Sequence, residues 1–306
     1  MATACPHCDN DRLQQRAAIL RAIRDFFVTH AFLEVETPVR IPAPAPEVHI
    51  DAEPSGDWFL QTSPELCMKR LLAAGFPKIY QICKCFRARE RGGRHLPEMT
   101  LLEWYAAGSD YRRMMVQTQA LLIHVAEQVG RYPRLSYQGR SINLSPPWHR
   151  VTVAQAFEIY TETTVDQALD QGRFDELMGL RIEPRLGWDR PLFLFDYPAR
   201  CGALARLKSG DPQVVERFEL YIGGLELCNA FSELTDTVEQ HRRFAHDAGM
   251  RQQMGKTVYP WPETFLDVLD HMPEAAGNAL GIDRLVMLLT DAKCIDAVVA
   301  FTPEGL

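Results

Sequence analysis

The chain has 306 residues, 33 Lys and Arg against 40 Asp and Glu, 46% hydrophobic residues and a formal net charge of −7. It is long enough to bury a full core near the upper size of one domain, and 24% charged residues with 19 Gly and 20 Pro exclude a disordered, collagenous or coiled-coil protein. The negative charge argues against general nucleic-acid binding, which depends on Lys and Arg neutralising phosphates, so any basic site must be local.

No stretch reaches the roughly 20 apolar residues of a membrane span, and the first 15 residues lack the apolar centre of a signal peptide. Eight irregularly spaced Cys are too dilute for a disulfide scaffold. The expectation is a cytoplasmic protein with reduced thiols and no membrane partner.

In chain order, Leu13, Ala17, Leu20, Ile23 and Phe27 recur at spacings of three and four, which predicts an amphipathic helix over 11–30. A strand at 32–38 ends on Pro38, and Pro42, Pro44 and Pro46 make a loop. After a short strand at 58–61, Ser63-Pro64-Glu65 opens a helix, with Ser63 as N-cap and Pro64 in the first turn. Runs at 78–86 and 99–107 read as a long hairpin joined by the Arg- and Gly-rich segment 87–97, and a helix follows at 111–128. Residues 140–212 mix weak helices with a strand at 192–197. Runs at 214–222 and 225–231 form a second hairpin around Gly223-Gly224. Helices at 237–253 and 263–271 come next, and a small-residue strand at 277–282 feeds a helix at 283–289. The fold class expected is α+β with a mostly antiparallel sheet.

Three motif-like features are decoys. Cys5-Pro-His-Cys8 has redox or zinc spacing, but too few residues precede it for a strand and no second pair of that spacing exists. Residues 249–257, GMRQQMGKT, have five residues between the glycines where a P-loop has four, and they follow a polar helix, not a buried strand. His241 and His246 fall on different helix faces and make no metal pair.

Three other segments carry chemistry. Arg87, Arg89, Arg91 and Arg94 crowd one hairpin loop, where guanidinium groups can surround a polyphosphate; a solvated basic turn is the alternative. On the strand that follows, Met99, Leu101, Glu103 and Tyr105 share a face by period two. Around the Gly223-Gly224 turn, Ile222 should oppose Leu225, Tyr221 should oppose Glu226, and Glu219 should lie diagonally beside Glu226, at the roughly 7–8 Å across which two carboxylates can hold Mg²⁺ with phosphate; a solvent-facing acidic pair is the alternative. Finally, Gly281-Ile282-Asp283-Arg284 places an arginine in the first turn of an apolar helix, with Gly277 and Gly281 allowing close approach.

Together these segments resemble the three signature motifs of class II aminoacyl-tRNA synthetases: the first helix with 32–38 is similar to motif 1, Phe86-Arg87 through Tyr105 to motif 2, and Gly281 to Arg284 to motif 3. Within that class, Thr62 to Leu66, Met99 to Glu103 and Glu226 to Leu234 resemble the catalytic domain of lysyl-tRNA synthetases. The resemblance implies one catalytic domain over 15–306 behind a tail at 1–14, without an anticodon-binding domain.

Compact lysyl-type chains of this kind resemble the elongation factor P (R)-β-lysine ligases, truncated paralogues that adenylate the amino acid with ATP and pass it to a lysine of elongation factor P. Ala279, where lysyl-tRNA synthetases have glycine, agrees with that branch. The roles implied are Arg87 on the α-phosphate and substrate carboxylate, Arg284 on the γ-phosphate, and Glu219 and Glu226 on Mg²⁺. Arg89, Glu90, His95 and Met99 complete the ATP site. Glu65 would take the near amine of β-lysine or lysine, Asn229 its carboxylate, and Glu103, Tyr105 and Glu233 its distal ammonium, with Phe231 and Ala279 shaping the pocket. A homodimer through motif 1 and no tRNA partner are expected.

The motifs also depart from the family. Ala88 and Arg89 replace the usual Asn-Glu, Met99 replaces the phenylalanine that stacks on adenine, and Leu96 interrupts the usual His-Asn-Pro. An asparagine-synthetase-like ligase would use an acidic substrate, against which Glu103 and Glu233 argue. Retention of Arg87, Glu219, Glu226 and Arg284 argues against an inactive paralogue serving as a binding module.

Overall fold

A computed structural model describes residues 10–202 and 204–306; Cys5 and Cys8 lie outside the described residues. Its frame is a nine-stranded sheet. The strands are β1 (Leu33–Glu34), β2 (Lys78–Phe86), β3 (Glu98–Ala107), β4 (His149–Thr152), β5 (Leu192–Pro198), β6 (Asp211–Ile222), β7 (Leu225–Ser232) and β8 (Ala275–Gly281), in spatial order β1-β2-β3-β8-β7-β6-β5-β4, with the short strand Leu207–Lys208 beside β6. The two outermost pairings, β1 with β2 and β4 with β5, are parallel and the others antiparallel.

Helices α1 (Asn10–Thr29), α3 (Tyr111–Gln128) and α5 (Ile282–Leu289) cover one face of the sheet. The core beneath them joins Ile23 and Phe27, Met114 and Leu121, and Val286 to Trp104, Leu220 and Leu280. Helix α2 (Glu65–Ala73) packs with α4 (Thr237–Gln253) and the short helix Glu263–Leu266 through Met68, Leu72, Phe244 and Phe265. That second layer contacts Ile79 and Tyr105 on the opposite face, leaving a cavity between it and the strands. A third core, around Phe157, Phe174 and Tyr221, fills the 153–221 region.

Several expectations need correction. The first strand pairs only over Leu33–Glu34, because the chain leaves the sheet after Val35 donates to the Tyr80 carbonyl at 2.9 Å. The 263–271 helix is a four-residue turn followed by a 3₁₀ turn at Leu269–His271. Residues 140–212 resolve into β4 and β5 with short helices Val153–Tyr160 and Val165–Asp170, each opened by a capping box, Thr152 with Gln155 and Thr164 with Gln167. The P-loop lookalike is the end of α4: buried Arg251 donates to the carbonyls of Glu47 (2.7 Å) and Ile50 (2.9 Å), clamping the loop before β2.

Candidate active site

The cavity, about 350 Å³, lies where β3, β6, β7 and β8 face the start of α2 and the 87–97 loop. Its lining separates by charge. At one end stand Arg87, Arg94, His95, Glu219, Glu226 and Arg284, and at the other Glu65, Glu103, Tyr105 and Glu233. Met99, Glu90, Asn229, Phe231 and Ala279 also line it. Arg89 does not: it is turned outward to Asp51 at 2.9 Å, with its side chain 82% exposed. Arg91 likewise ties the loop to Asp296 (2.9 Å) and Glu304 (2.8 Å). Half of the arginine cluster therefore braces the loop, and half faces the cavity.

Arg87 follows β2, and its backbone N–H donates to the Pro97 carbonyl at 2.8 Å, closing the base of the loop. Its Nε is buried without a hydrogen-bond partner, a donor positioned for an anionic oxygen. Arg284 reaches from the first turn of α5 to the Glu226 carboxylate (3.1 Å) and carbonyl (3.0 Å), and to His95 Nε2 (2.6 Å). Burial and the adjacent Arg284 push the His95 pKa down, so its ring is neutral at pH 7. Asp283 anchors the helix start: it accepts from the Thr100 backbone (2.8 Å) and pairs with Arg16 of α1 (2.7 Å).

The second hairpin contains a feature that alternation alone misses. Ile222 faces Leu225 and Tyr221 faces Glu226, as the two-residue turn requires, and both turn glycines have positive φ, +62° and +70°. The register then slips by one residue, so that Leu220 faces Cys228 and Glu219 faces Asn229. This bulge reverses the parity of β7. Strict alternation would send Glu226 and Asn229 to opposite faces, whereas both line the cavity, together with Phe231.

Glu219 accepts from Tyr197 and Tyr221 at 2.6 Å each and from Arg217 at 2.6 Å. Burial and the neighbouring Glu226 push the Glu219 pKa up, while burial at Glu226 is overcome by Arg284, which holds that carboxylate down. Glu183 joins them: burial, then Glu219 and Glu226, push it up to about 7. Mutual repulsion among acids around one end of a cavity fits a hard divalent cation, which takes one or two protein carboxylates plus substrate phosphates. Among the described residues no group of three or more His, Cys, Asp or Glu is arranged to hold a metal alone.

Two residues outside the motifs, Lys69 and Arg217, brace the site. Lys69, one helical turn after Glu65, is fully buried and lies 2.5 Å from both Glu65 and Glu233. Its ammonium also stands 5.2 Å from the Phe231 ring centre. Three carboxylates, Glu65, Glu103 and Glu233, against one ammonium leave a formal charge of −2. Glu103 accepts from Ser63 (2.6 Å) and Tyr105 (2.9 Å), yet burial and Glu65 push it up to about 7. Burial pushes Glu233 up to about 8 against the pull of Lys69. Ser63 also accepts from the Glu65 backbone at 3.0 Å, so it orders the helix start and Glu103 together.

Arg217, two residues before Glu219 on the same strand face, is the other. Its Nε donates to the Asn229 amide oxygen at 2.9 Å, which leaves the Asn229 NH₂ as that amide's donor group. Glu-x-x-x-Lys on a helix and Arg-x-Glu on a strand are the signals that could have found both. Gly277, opposite Tyr105 in the sheet, is required by close approach: a Cβ there would overlap Glu233 Oε1 and the Tyr105 ring. At Gly281 the nearest atom to such a Cβ is 3.8 Å away, so no crowding demands glycine. Ala279 sits between Glu103 and Asn229, its register partners on the two flanking strands.

The model of the family tRNA synthetases class II (D, K and N) matches residues 8–304. The chain is 40% identical to the elongation factor P–(R)-β-lysine ligase of Erwinia tasmaniensis, over 98% of this chain and 97% of that protein. It is 39% identical to the enzyme of the same name from Pseudoalteromonas translucida, over 94% of each. A lysine–tRNA ligase of Thiobacillus denitrificans is 37% identical over 94% of this chain but only 62% of its own length. Among the described residues no helix is long and apolar enough to cross a membrane. The chain therefore belongs to the class II tRNA synthetases of the D, K and N type and, within them, to the family of its full-length relatives, the elongation factor P–(R)-β-lysine ligases.

Proposed function

We propose that the chain uses ATP to activate (R)-β-lysine as an aminoacyl-adenylate and transfers the acyl group to a lysine ε-amine of elongation factor P. The observation that carries this reading is the polarity of the cavity. With its three carboxylates ionised, one end carries a formal charge of −2, equal and opposite to the two ammonium groups of a lysine-type substrate, and arginines with paired acids at the other end suit a triphosphate.

In this reading Glu65 keeps Oε2 for the near amine, since Oε1 is held by Lys69. Glu103, Tyr105 and Glu233 receive the distal ammonium beside Phe231, and Asn229, oriented by Arg217, donates to the substrate carboxylate. Arg87 spans that carboxylate and the α-phosphate, while Arg284 takes the terminal phosphates. Carboxylate oxygen then attacks the α-phosphorus and pyrophosphate leaves. The protein contributes alignment and charge neutralisation, with no proton transfer required. Glu219 and Glu226 would hold Mg²⁺, which supplies countercharge to the phosphates. His95, Glu90 and Met99 border the nucleotide; Arg89 serves it only through the loop.

The same reading includes a homodimer through α1 and β1, supported by exposed Val28 (69%) and Leu33 (50%) there and Val116 (57%) on α3. The test of function is pyrophosphate exchange with (R)-β-lysine and α-lysine, followed by intact mass of elongation factor P. Preference for β-lysine with an acyl mass gain on the factor supports the reading. Preference for α-lysine with aminoacylation of tRNA overturns it.

A further inference from the structure

Among the described residues eight acidic side chains line the cavity, and each except Glu47 holds a cation, hydroxyl or backbone N–H. The Glu47 carboxylate has no hydrogen-bond or ion-pair partner among the described residues. Its backbone, in contrast, is pinned. Arg251 donates to the Glu47 carbonyl at 2.7 Å, and Lys256 Nζ donates to the Val48 carbonyl at 2.9 Å. The side chain is half-buried, so it is reachable from solvent. The charges facing it are Arg87 at the end of β2, Arg217 on β6, Glu65 at the start of α2 and Asp247 on α4. Glu47 thus presents an unpaired carboxylate to the cavity from a pinned loop, within the electrostatic reach of Arg87.

The transfer step calls for such a group. The acceptor lysine arrives as an ε-ammonium, with a pKa of about 10.4 in water, and has no electron pair to attack with. The adenylation machinery contains only aligned charges, and His95 is engaged by Arg284. Glu103 and Glu233 are fully buried at the amino-acid end.

We propose that Glu47 is the catalytic base of acyl transfer, taking a proton from the acceptor ε-ammonium as it reaches the adenylate held on Arg87. The inference rests on the reading of the site as an adenylate-forming ligase. The ε-ammonium gives one proton to Glu47, and the freed electron pair forms the C–N bond at the adenylate carbonyl carbon. The C–O bond to phosphate breaks with its electron pair on AMP. The second proton lost from nitrogen passes to the departing phosphate or to water, leaving the amide with one N–H. Burial, reinforced by Glu65 and Asp247 and opposed by Arg87 and Arg217, pushes the Glu47 pKa up to about 7, close to the operating pH that suits a general base.

The test separates the half-reactions in the full chain supplied with ATP, Mg²⁺ and (R)-β-lysine. Pyrophosphate exchange reports activation. Single-turnover transfer from preformed adenylate is followed to elongation factor P and, separately, to hydroxylamine, whose nitrogen is largely unprotonated at neutral pH. In Glu47→Gln, exchange and hydroxamate formation should fall less than about threefold, whereas transfer to elongation factor P at pH 7 should slow about 100-fold or more. The deficit should shrink toward about pH 9.5, where more acceptor arrives neutral. Equal transfer by variant and wild type overturns the proposal. So does a parallel fall of exchange, hydroxamate formation and transfer, which would make Glu47 a binding or structural residue. A wild-type chain that exchanges no pyrophosphate with any lysine removes the underlying reading itself, before transfer is measured.

Discussion

Lys69 and Glu233 lie 2.5 Å apart with both side chains fully buried, an ion pair sealed beneath the amino-acid end of the cavity. Removing one partner of such a pair leaves an uncompensated charge. Lys69→Met should therefore destabilise the protein by about 3–5 kcal/mol at pH 8.5 in urea unfolding. The loss should be smaller at pH 6, where Glu233 escapes by taking a proton. Lys69→Met combined with Glu233→Gln should recover much of it. A loss under about 1 kcal/mol at both pH values contradicts this account.

Glu47, Glu103 and Glu183, each near 7, and Glu233, near 8, all have folded-state values above the ordinary 4.5. The folded chain thus binds more protons than the unfolded chain between about pH 4.5 and 8, and its stability must fall as pH rises through that window. Thermal melts of the ligand-free protein should show a lower Tm at pH 8 than at pH 6. A lysine-type ligand should raise Tm more at pH 8, because its ammonium groups replace the missing protons. The opposite slope is inconsistent with these assignments.

Ala279 places one methyl group between Glu103 and Asn229, which are proposed to hold opposite ends of the amino acid. Ala279→Gly should raise activation of α-lysine relative to (R)-β-lysine by roughly 10-fold, the scale of a single-methyl pocket change. An unchanged ratio in pyrophosphate exchange removes Ala279 from the specificity argument.

Glu226→Gln should lower exchange about 100-fold or more and shift the Mg²⁺ requirement to higher concentration, because one of two proposed carboxylate ligands is lost. A matching loss of rate with no change in the Mg²⁺ titration would assign Glu226 to holding Arg284 only.

The proposed dimer face predicts that Val28→Glu with Leu33→Glu, both exposed in the isolated chain, halves the mass seen by light scattering without lowering Tm. A wild-type monomer excludes the dimer.

Long periodic elements with capping signals are legible in sequence: α3 and α4 are expected and found over the same residues, each behind an aspartate that accepts from the backbone N–H three residues on. Arg87, Arg94 and Arg284 are legible through the motifs and Glu219 and Glu226 through the two-glycine hairpin, whereas Arg217 and Glu47, which also line the cavity, are not. Lys69 is not, because a Glu-x-x-x-Lys pair reads as an exposed helix pair until the fold buries it. The register slip in β7 leaves no periodic trace, since alternation is intact on either side of it and only the pairing shows the change. In 140–212 the elements are too short for an 11-residue window, although Thr152-x-x-Gln155 and Thr164-x-x-Gln167 announce two helix starts. Arg89 shows the converse error, where a residue in the right motif faces the wrong way.

The last strand of the sheet, β8, lies between β3 and β7, so its backbone joins strands drawn from the two halves of the chain. During synthesis both of those strands emerge with one edge unpaired and must wait for β8, the last of these strands in chain order, before the sheet can close. The nascent chain thus carries two open β edges until β8 has been made. Nucleotide and amino-acid subsites cannot assemble separately, and a stalled or C-terminally clipped chain should be both inactive and prone to aggregate.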